Sequence, residues 1–147
     1  MDFKKILVAV DNSVCAENAA KVAYDMATKF DAEIALLNVI EPTTAPVSPD
    51  YAITPVYLEI YDNSEEHSHV LLEEMEKRIG NGAKTTYLST LDTTAHGITH
   101  QAEEWGADLI VLGTHGRTGL AHFLLGNVSE HVARKSACPV LIVPCKD

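Results

Sequence analysis

The sequence predicts an α/β fold: a single doubly wound domain built on a parallel sheet with helices on both faces. Its 147 residues suit one domain. Short continuous apolar runs, typical of strands covered on both faces, alternate with longer segments whose apolar residues recur at helical spacing. Such alternation produces a parallel sheet with right-handed crossovers. We therefore expect residues 1–147 to form one domain.

Five segments are expected to be the strands of this sheet. Four of them are short, nearly unbroken apolar runs, at 6–10, 34–40, 109–112 and Val140–Val143. The fifth, 84–91, is weaker and rich in Thr, which indicates a strand nearer an edge of the sheet.

The first two helices follow the first two strands. Apolar residues recur at helical spacing over 19–30, and Ser13 is placed to cap that helix. A longer helix is predicted over 56–79, with His67 among the residues of its inward face, and Gly80 begins the Gly-Asn-Gly stretch that ends it.

The third helix is predicted from Ala95 to Trp105 and ends at Gly106, and a fourth runs from Asn127 towards Ser136. Between the second strand and second helix, residues 41–55 hold four of the six prolines. A loop of that length is usually functional or mobile, and this one could shield a site at the strand ends.

Charge and hydropathy exclude several classes of partner. The chain carries 11 basic and 21 acidic residues, a net charge of -10, whereas nucleic-acid binders show a basic face. Nucleic acids and anionic membranes are therefore not expected as partners. The apolar runs are too short for a transmembrane helix or a signal-peptide core, which predicts a cytoplasmic location.

The three cysteines are expected to be free thiols in a reducing compartment. Cys15, Cys138 and Cys145 are odd in number and form no CxxC pair. Cys138 and Cys145 stand seven apart around the last strand and should face opposite sides, so a disulfide between them is not expected.

A loop rich in glycine follows the fourth strand and is the strongest candidate site. It reads GTHGRTGLAHFLLGNVSE, with Gly113 at the strand end, Gly116 in the turn and Gly126 before a helix. Glycine lets a ligand approach the backbone, and the first NH groups of a helix can receive a phosphate. From spacing alone, glycines that only form turns are an equal alternative. Histidine at position 115 is open to the same two interpretations.

Two familiar phosphate loops do not fit. The chain contains no Gly-Lys dipeptide, which a P-loop requires. Asp11-Asn12-Ser13 follows the first strand, where a dinucleotide fingerprint would need GxGxxG. The sequence therefore supports neither an NAD site nor a Walker-type NTPase.

The spacing Gly113-x-x-Gly116, nine residues, then Gly126 resembles the ATP-binding signature of the universal stress proteins. The resemblance runs from Lys4 to Pro144, from the opening strand to the closing CPVLIVP strand. It implies a five-stranded sheet of order 3-2-1-4-5, whose order reverses between strands one and four. Ligands of such sheets bind in the crevice at the reversal.

The resemblance also implies which residues contact ATP. It assigns one residue to the ribose, three to adenine, three to the triphosphate and four to the helix start beside the phosphates. Asp11 is assigned to the ribose, and Val10, Val39 and Leu112 are assigned to adenine. The triphosphate residues are Gly113, Gly116 and Arg117, and the helix-start residues are Gly126, Asn127, Val128 and Ser129.

Asn127 departs from the family pattern. ATP-binding members usually carry Ser or Thr directly after the last glycine. Asparagine can still donate a hydrogen bond through its NH₂ group, and it is a favourable N-cap residue.

The expected function is that of a cytoplasmic stress-response module that binds ATP, with Mg or Mn held through the phosphates, and acts in regulation. The alternatives are a nucleotide-free dimeric interaction protein and a slow ATP hydrolase. No residue that would activate water can be identified, so no catalytic residue is assigned. A turn role for Asp11 stays open beside the ribose role.

Two further expectations concern surfaces. Val140–Val143 lies at an edge in the order 3-2-1-4-5 and carries no charge, which predicts a homodimer through this strand, as the resemblance also implies. Pro139 and Pro144 limit how far the pairing extends. His96 and His100 have the spacing of metal ligands on one helix, but they point away from its apolar face, so a solvated pair is expected and no metal site.

Overall fold

Strands and helices alternate strictly in the part of the chain that the computed structural model describes. These residues are 1–42, 55–114 and 126–145, with only the backbone described over 55–63. The elements in chain order are β1 (Lys5–Ala9), α1 (Val14–Phe30), β2 (Glu33–Ile40), α2 (Pro55–Ile79), β3 (Thr85–Leu91), α3 (Thr94–Trp105), β4 (Leu109–Gly113), α4 (Asn127–Lys135) and β5 (Val140–Val143).

The strands form one parallel sheet of order β3-β2-β1-β4-β5. The expected fold class and strand order are therefore confirmed, and the Thr-rich β3 lies at an edge as predicted. Most of the proline-rich loop, 43–54, lies outside the described residues.

The core is split by the sheet into two layers. Side chains of β1 alternate between them: Val8 packs with α1 and α2, and Leu7 packs with α3 and α4, both fully buried. Tyr24 of α1 is also buried and reaches the edge strand, where its hydroxyl lies 2.9 Å from Oγ1 of Thr85. Both faces of the central strands are thus covered, which explains their unbroken apolar runs.

Two predicted helix ends are confirmed in detail. The Ser13 hydroxyl accepts a hydrogen bond from the Ala16 amide at 3.1 Å and caps α1. Gly106 ends α3 with a left-handed φ of 75°, a conformation that glycine adopts without steric cost.

The predicted inward face of α2 is wrong at His67, which is exposed. Its neighbour Ser68 is buried instead, and its hydroxyl lies 2.6 Å from that of Ser89 on β3. Leu72 and Met75 continue the buried face. The helical spacing in the sequence was compatible with either His67 or Ser68 on the buried face of α2. Ser68 occupies that face because Ser89 on β3 provides a hydrogen-bonding partner for its hydroxyl.

The expectation of three free thiols is wrong for Cys15 and Cys145, which form a disulfide with a Cα–Cα distance of 5.0 Å. Helix α1 packs over β4 and β5, so its first turn meets the chain that leaves β5. Cys138 is free and, as expected, does not pair with Cys145. In the described ranges, no helix is long and apolar enough to cross a membrane.

Candidate functional site

The strand order reverses between β1 and β4, and this reversal positions the candidate site. The two strands pair in parallel, with Val8 opposite Val111. The chain leaves β1 for α1 on one face, whereas α4 packs on the opposite face. The carboxyl ends of β1 and β4 therefore open a crevice of the kind in which α/β sheets bind ligands.

Asp11 lies at the β1 side of the crevice and shapes the turn into α1. Its Oδ1 accepts a hydrogen bond from the Ser13 amide at 2.8 Å. The turn role that sequence analysis left open is thus observed. The half-buried Asp11 side chain thus lies beside the end of β1.

Val10 and Asn38 fasten the end of β1 to β2. The Val10 amide donates to the Leu37 carbonyl at 2.8 Å, and the Asn38 side chain donates to the Val10 carbonyl at 2.9 Å. Sequence analysis missed this role of Asn38, although its signal was present as the one polar residue interrupting the second apolar run. Two hydrogen bonds therefore attach the end of β1 to β2 at this side of the crevice.

The three residues expected at adenine do not share one surface. Val10 packs in the α1–α2 layer, whereas Leu112 and Val39 belong to the α3–α4 layer. Val10 and Leu112 are 5% and 4% exposed. Protein neighbours therefore cover the side chains of this pair.

Gly113 ends β4 in close contact with the first turn of α1. A Cβ built on Gly113 would lie 3.0 Å from both the Cβ and the carbonyl oxygen of Cys15. This approach is tighter than ordinary packing allows, so the position requires glycine for a structural reason as well as for any ligand.

Thr114 follows Gly113 and is 7% exposed. Its amide donates to the Val143 carbonyl at 3.1 Å, and its carbonyl accepts from the Gly126 amide at 2.9 Å. Its Oγ1 accepts from the Cys145 amide at 3.1 Å. Sequence analysis did not identify Thr114, because nothing in the sequence marks the partners that the fold brings to it.

Helix α4 begins at the β4 side of the crevice. Gly126 is its N-cap, with φ −71° and ψ 157°, and Asn127 is the exposed first helical residue, so an N-cap role for Asn127 is wrong. The amides of Asn127, Val128 and Ser129 have no acceptor within the helix by its geometry. They supply the partial positive charge of a helix start to this end of the crevice.

Ser129 anchors that helix start to β4. Its side chain is buried, and its hydroxyl donates to the Gly113 carbonyl at 2.8 Å. The structure thus brings Asp11, Gly113 and the α4 N-terminus to one end of the sheet. Gly116 and Arg117, and the neighbouring position 115, lie outside the described residues.

A separate groove of about 220 Å³ lies between the β1–α1 turn and α2. Asp11 and Asn12 line it on one side, and Leu71, Met75 and Arg78 of α2 line it on the other. Ordinary ligand pockets enclose roughly 300 to 1,000 Å³. The groove is too small for a nucleotide, and it faces away from the start of α4.

His96 and His100 point to solvent, as expected. Nδ1 of His96 lies 2.5 Å from a carboxylate oxygen of Asp92, and this hydrogen bond lowers the pKa of Asp92. The two imidazole rings stack with centroids 5.8 Å apart. Within residues 1–42, 55–114 and 126–145, no group of three or more His, Cys, Asp or Glu side chains is arranged to hold a metal ion.

Comparisons with known proteins converge on one family. The model of the universal stress protein family matches residues 2–144. Universal stress protein MJ0531 of Methanocaldococcus jannaschii is 33% identical over 141 residues, which cover 96% of this chain and 82% of that protein.

Solved structures agree with this match. The structure of protein MJ0577, whose curated counterpart is a universal stress protein of M. jannaschii, superposes with a TM-score of 0.83 at 32% identity, covering 100% of this chain and 99% of the other. A universal stress protein from Archaeoglobus fulgidus, solved in complex with dAMP, has a TM-score of 0.62 at 21% identity, covering 97% and 98%. The latter likeness concerns the fold.

Proposed function

This chain belongs to the universal stress protein family, and from that premise we propose that it binds ATP in the β1–β4 crevice and acts as a nucleotide-dependent regulatory module. The observation that supports this proposal most directly is the fixed position of the α4 N-terminus. Ser129 joins α4 to the Gly113 carbonyl at 2.8 Å, and the Gly126 amide joins it to the Thr114 carbonyl at 2.9 Å. These two bonds hold a phosphate-binding element at the sheet reversal.

Different residues of the crevice contact different parts of the nucleotide. The Asp11 carboxylate, already positioned by the Ser13 amide, accepts hydrogen bonds from the ribose hydroxyls. Val39 offers its backbone to adenine, and Val10 and Leu112 line the base. Helix-start amides and the glycine loop, including Gly113, Gly116 and Arg117, take the triphosphate.

Three details complete the proposal. Mg or Mn is held through the phosphates, since carboxylates do not cluster beside the described part of the loop. Adenine nucleotides suit this fold, as the dAMP complex of the A. fulgidus protein illustrates. We also propose a cytoplasmic location and a homodimer through Val140–Val143.

Calorimetric titration with ATP and Mg²⁺ tests the proposal, with Gly126→Val as the disabling variant. The Gly126 backbone is extended, with negative φ, so valine fits the fold while its branched side chain crowds the phosphates. Losing hydrogen bonds to a charged group predicts an affinity about ten- to hundredfold lower. Asn127→Ser, the matched control, restores the family's usual residue and should bind at least as tightly as the native protein.

Far-UV spectra should remain near native for both variants, whereas thermal unfolding of Gly126→Val should occur a few degrees lower because valine is a poor N-cap residue. Wild-type protein that releases no heat with ATP and Mg²⁺ would leave the nucleotide-free interaction module as the better assignment. Rapid multiple turnover of ATP would instead identify a hydrolase.

A further inference from the structure

A disulfide lies directly behind the candidate crevice, where sequence analysis placed no functional group. Cys15 is the second residue of α1, and Cys145 lies two residues beyond β5. The bond joins positions 130 residues apart. It therefore ties the chain leaving β1 to the chain leaving β5, with the end of β4 between them.

The two cysteines bracket the end of β4. On one side, Cys15 lies in such close contact with Gly113 that an added Cβ would be 3.0 Å away. On the other side, the Cys145 amide donates to Oγ1 of Thr114 at 3.1 Å. Gly113 and Thr114 in turn carry the hydrogen bonds that fix the start of α4. A continuous set of contacts thus links the sulfur atoms to the helix start.

The bond is also placed for chemical attack. Cys15 is 9% exposed, whereas Cys145 is half-buried, so we assign the first attack by a small thiolate to Cys145. Attack there expels the Cys15 sulfur as a thiolate in the first turn of α1, where the helix dipole favours negative charge. Disulfides of cytosolic proteins are mostly transient and redox-sensing.

We propose that Cys15 and Cys145 form a thiol–disulfide modification site that tightens the crevice when oxidised and loosens it when reduced. This inference rests on the proposed ATP site. A dithiol supplies two electrons and two protons: the Cys15–Cys145 bond breaks, both sulfurs become thiols, and the dithiol closes into its own disulfide. The intact disulfide holds Gly113 and Thr114 in the positions that the ligand requires. Less conformational entropy is then lost when the ligand binds.

Differential alkylation with peptide mapping establishes the pairing first. Protein isolated without reductant, kept in air and then unfolded in urea should leave Cys138 open to the first alkylating label. Cys15 and Cys145 should take the second label, added after dithiothreitol. Finding both of these cysteines in the first label would overturn the inference.

Calorimetry with ATP and Mg²⁺ then compares oxidised and dithiothreitol-reduced protein. Reduction should raise Kd about three- to tenfold in the native protein and equally in Cys138→Ser, the matched control. The double variant Cys15→Ala with Cys145→Ala should show the weaker affinity with and without reductant. Amide hydrogen exchange over 140–145 should also become faster on reduction in the absence of nucleotide.

Equal Kd values for the two redox forms would refute the modification site and leave the ATP proposal standing. Absence of ATP binding in both forms would refute the ATP proposal, and the redox inference with it.

Discussion

At the scale of single residues, Thr114 shows how one side chain can connect three parts of the site. Its amide, carbonyl and hydroxyl bind Val143, Gly126 and Cys145 respectively. A buried threonine with these partners joins β5, the start of α4 and the chain beyond β5.

Replacing Thr114 tests this junction. Thr114→Val keeps the shape of the side chain but removes the acceptor of the Cys145 amide, so it should lower the free energy of unfolding by about 1 to 3 kcal/mol. Thr114→Ser keeps the hydroxyl and should cost less than about 1 kcal/mol. Urea unfolding at neutral pH measures both, and a valine variant as stable as the native protein would contradict the role.

At the scale of elements, α2 packs on the edge strand β3 through polar side chains as well as apolar ones. The Tyr87 hydroxyl donates to the Glu76 carboxylate, and the hydroxyls of Ser68 and Ser89 lie 2.6 Å apart. Tyr87 and Ser89 are two residues apart on β3 and so point to the same face. Polar pairs here fix the position of α2 over an edge that has little apolar surface.

The pair of Tyr87 and Glu76 predicts a pH dependence. Burial and the bond to Glu76 raise the pKa of the Tyr87 phenol. Because this pKa is higher in the folded state than in the unfolded state, the protonated Tyr87 hydroxyl makes its full contribution to the free energy of unfolding below about pH 10, the ordinary tyrosine pKa. That contribution is lost as the pH rises above this value.

Tyr87→Phe should therefore lower the free energy of unfolding by about 1 to 2 kcal/mol at pH 8. The difference in free energy of unfolding between the native protein and Tyr87→Phe should decrease by about 1 kcal/mol between pH 9 and pH 11. Urea unfolding across this range, in a Cys138→Ser background to prevent thiol exchange, provides the measurement. A constant difference between the two proteins would show that Tyr87 does not titrate as expected.

The elements were predictable because their signals are local. The central strands show as unbroken apolar runs, and Ser13 and Gly106 mark helix ends by their own chemistry. The choice between His67 and Ser68 depended on Ser89, a residue of another element. Asn127 and Gly126 could each cap a helix, and only the backbone position of α4 distinguishes them.

At the scale of the whole molecule, the site depends on contacts between distant segments. The disulfide could not be predicted because Cys15 and Cys145 meet only after α1 has packed across β4 and β5. The positions of Asp11, Gly113 and Gly126 at strand and helix ends followed from the local sequence, and only their roles towards ATP came from the family resemblance. Asn38 and Thr114 bind groups that come together only in the assembled sheet.

The sheet has two edge strands, β3 and β5, and the composition of β5 predicts a dimer. Strand β5 carries no charged residue, and all four of its residues are half-buried. Ile142 pairs with Leu112 in the register. Ile142→Lys should convert the proposed dimer to a monomer, because a charge on this edge prevents strand pairing, or give an unstable protein if the side chain faces the helices.

Sedimentation equilibrium at micromolar concentration tests this prediction. Leu91→Lys, on the opposite edge strand at a residue that is 42% exposed, is the matched control and should remain dimeric. Native protein that sediments as a monomer would show that β5 does not form the interface.

The central position of β1 also governs when the site can form during synthesis. β1 ends at Ala9, and its partner β4 begins at Leu109, about 100 residues later. At roughly 5 to 20 residues per second, a ribosome takes about 5 to 20 s to cover that distance. During this interval β2 can pair with β1 and β3 can pair with β2, but the β4 side of β1 has to wait. A nascent chain therefore acquires its crevice only when its second half arrives, so binding of the proposed ATP ligand would report a completed fold.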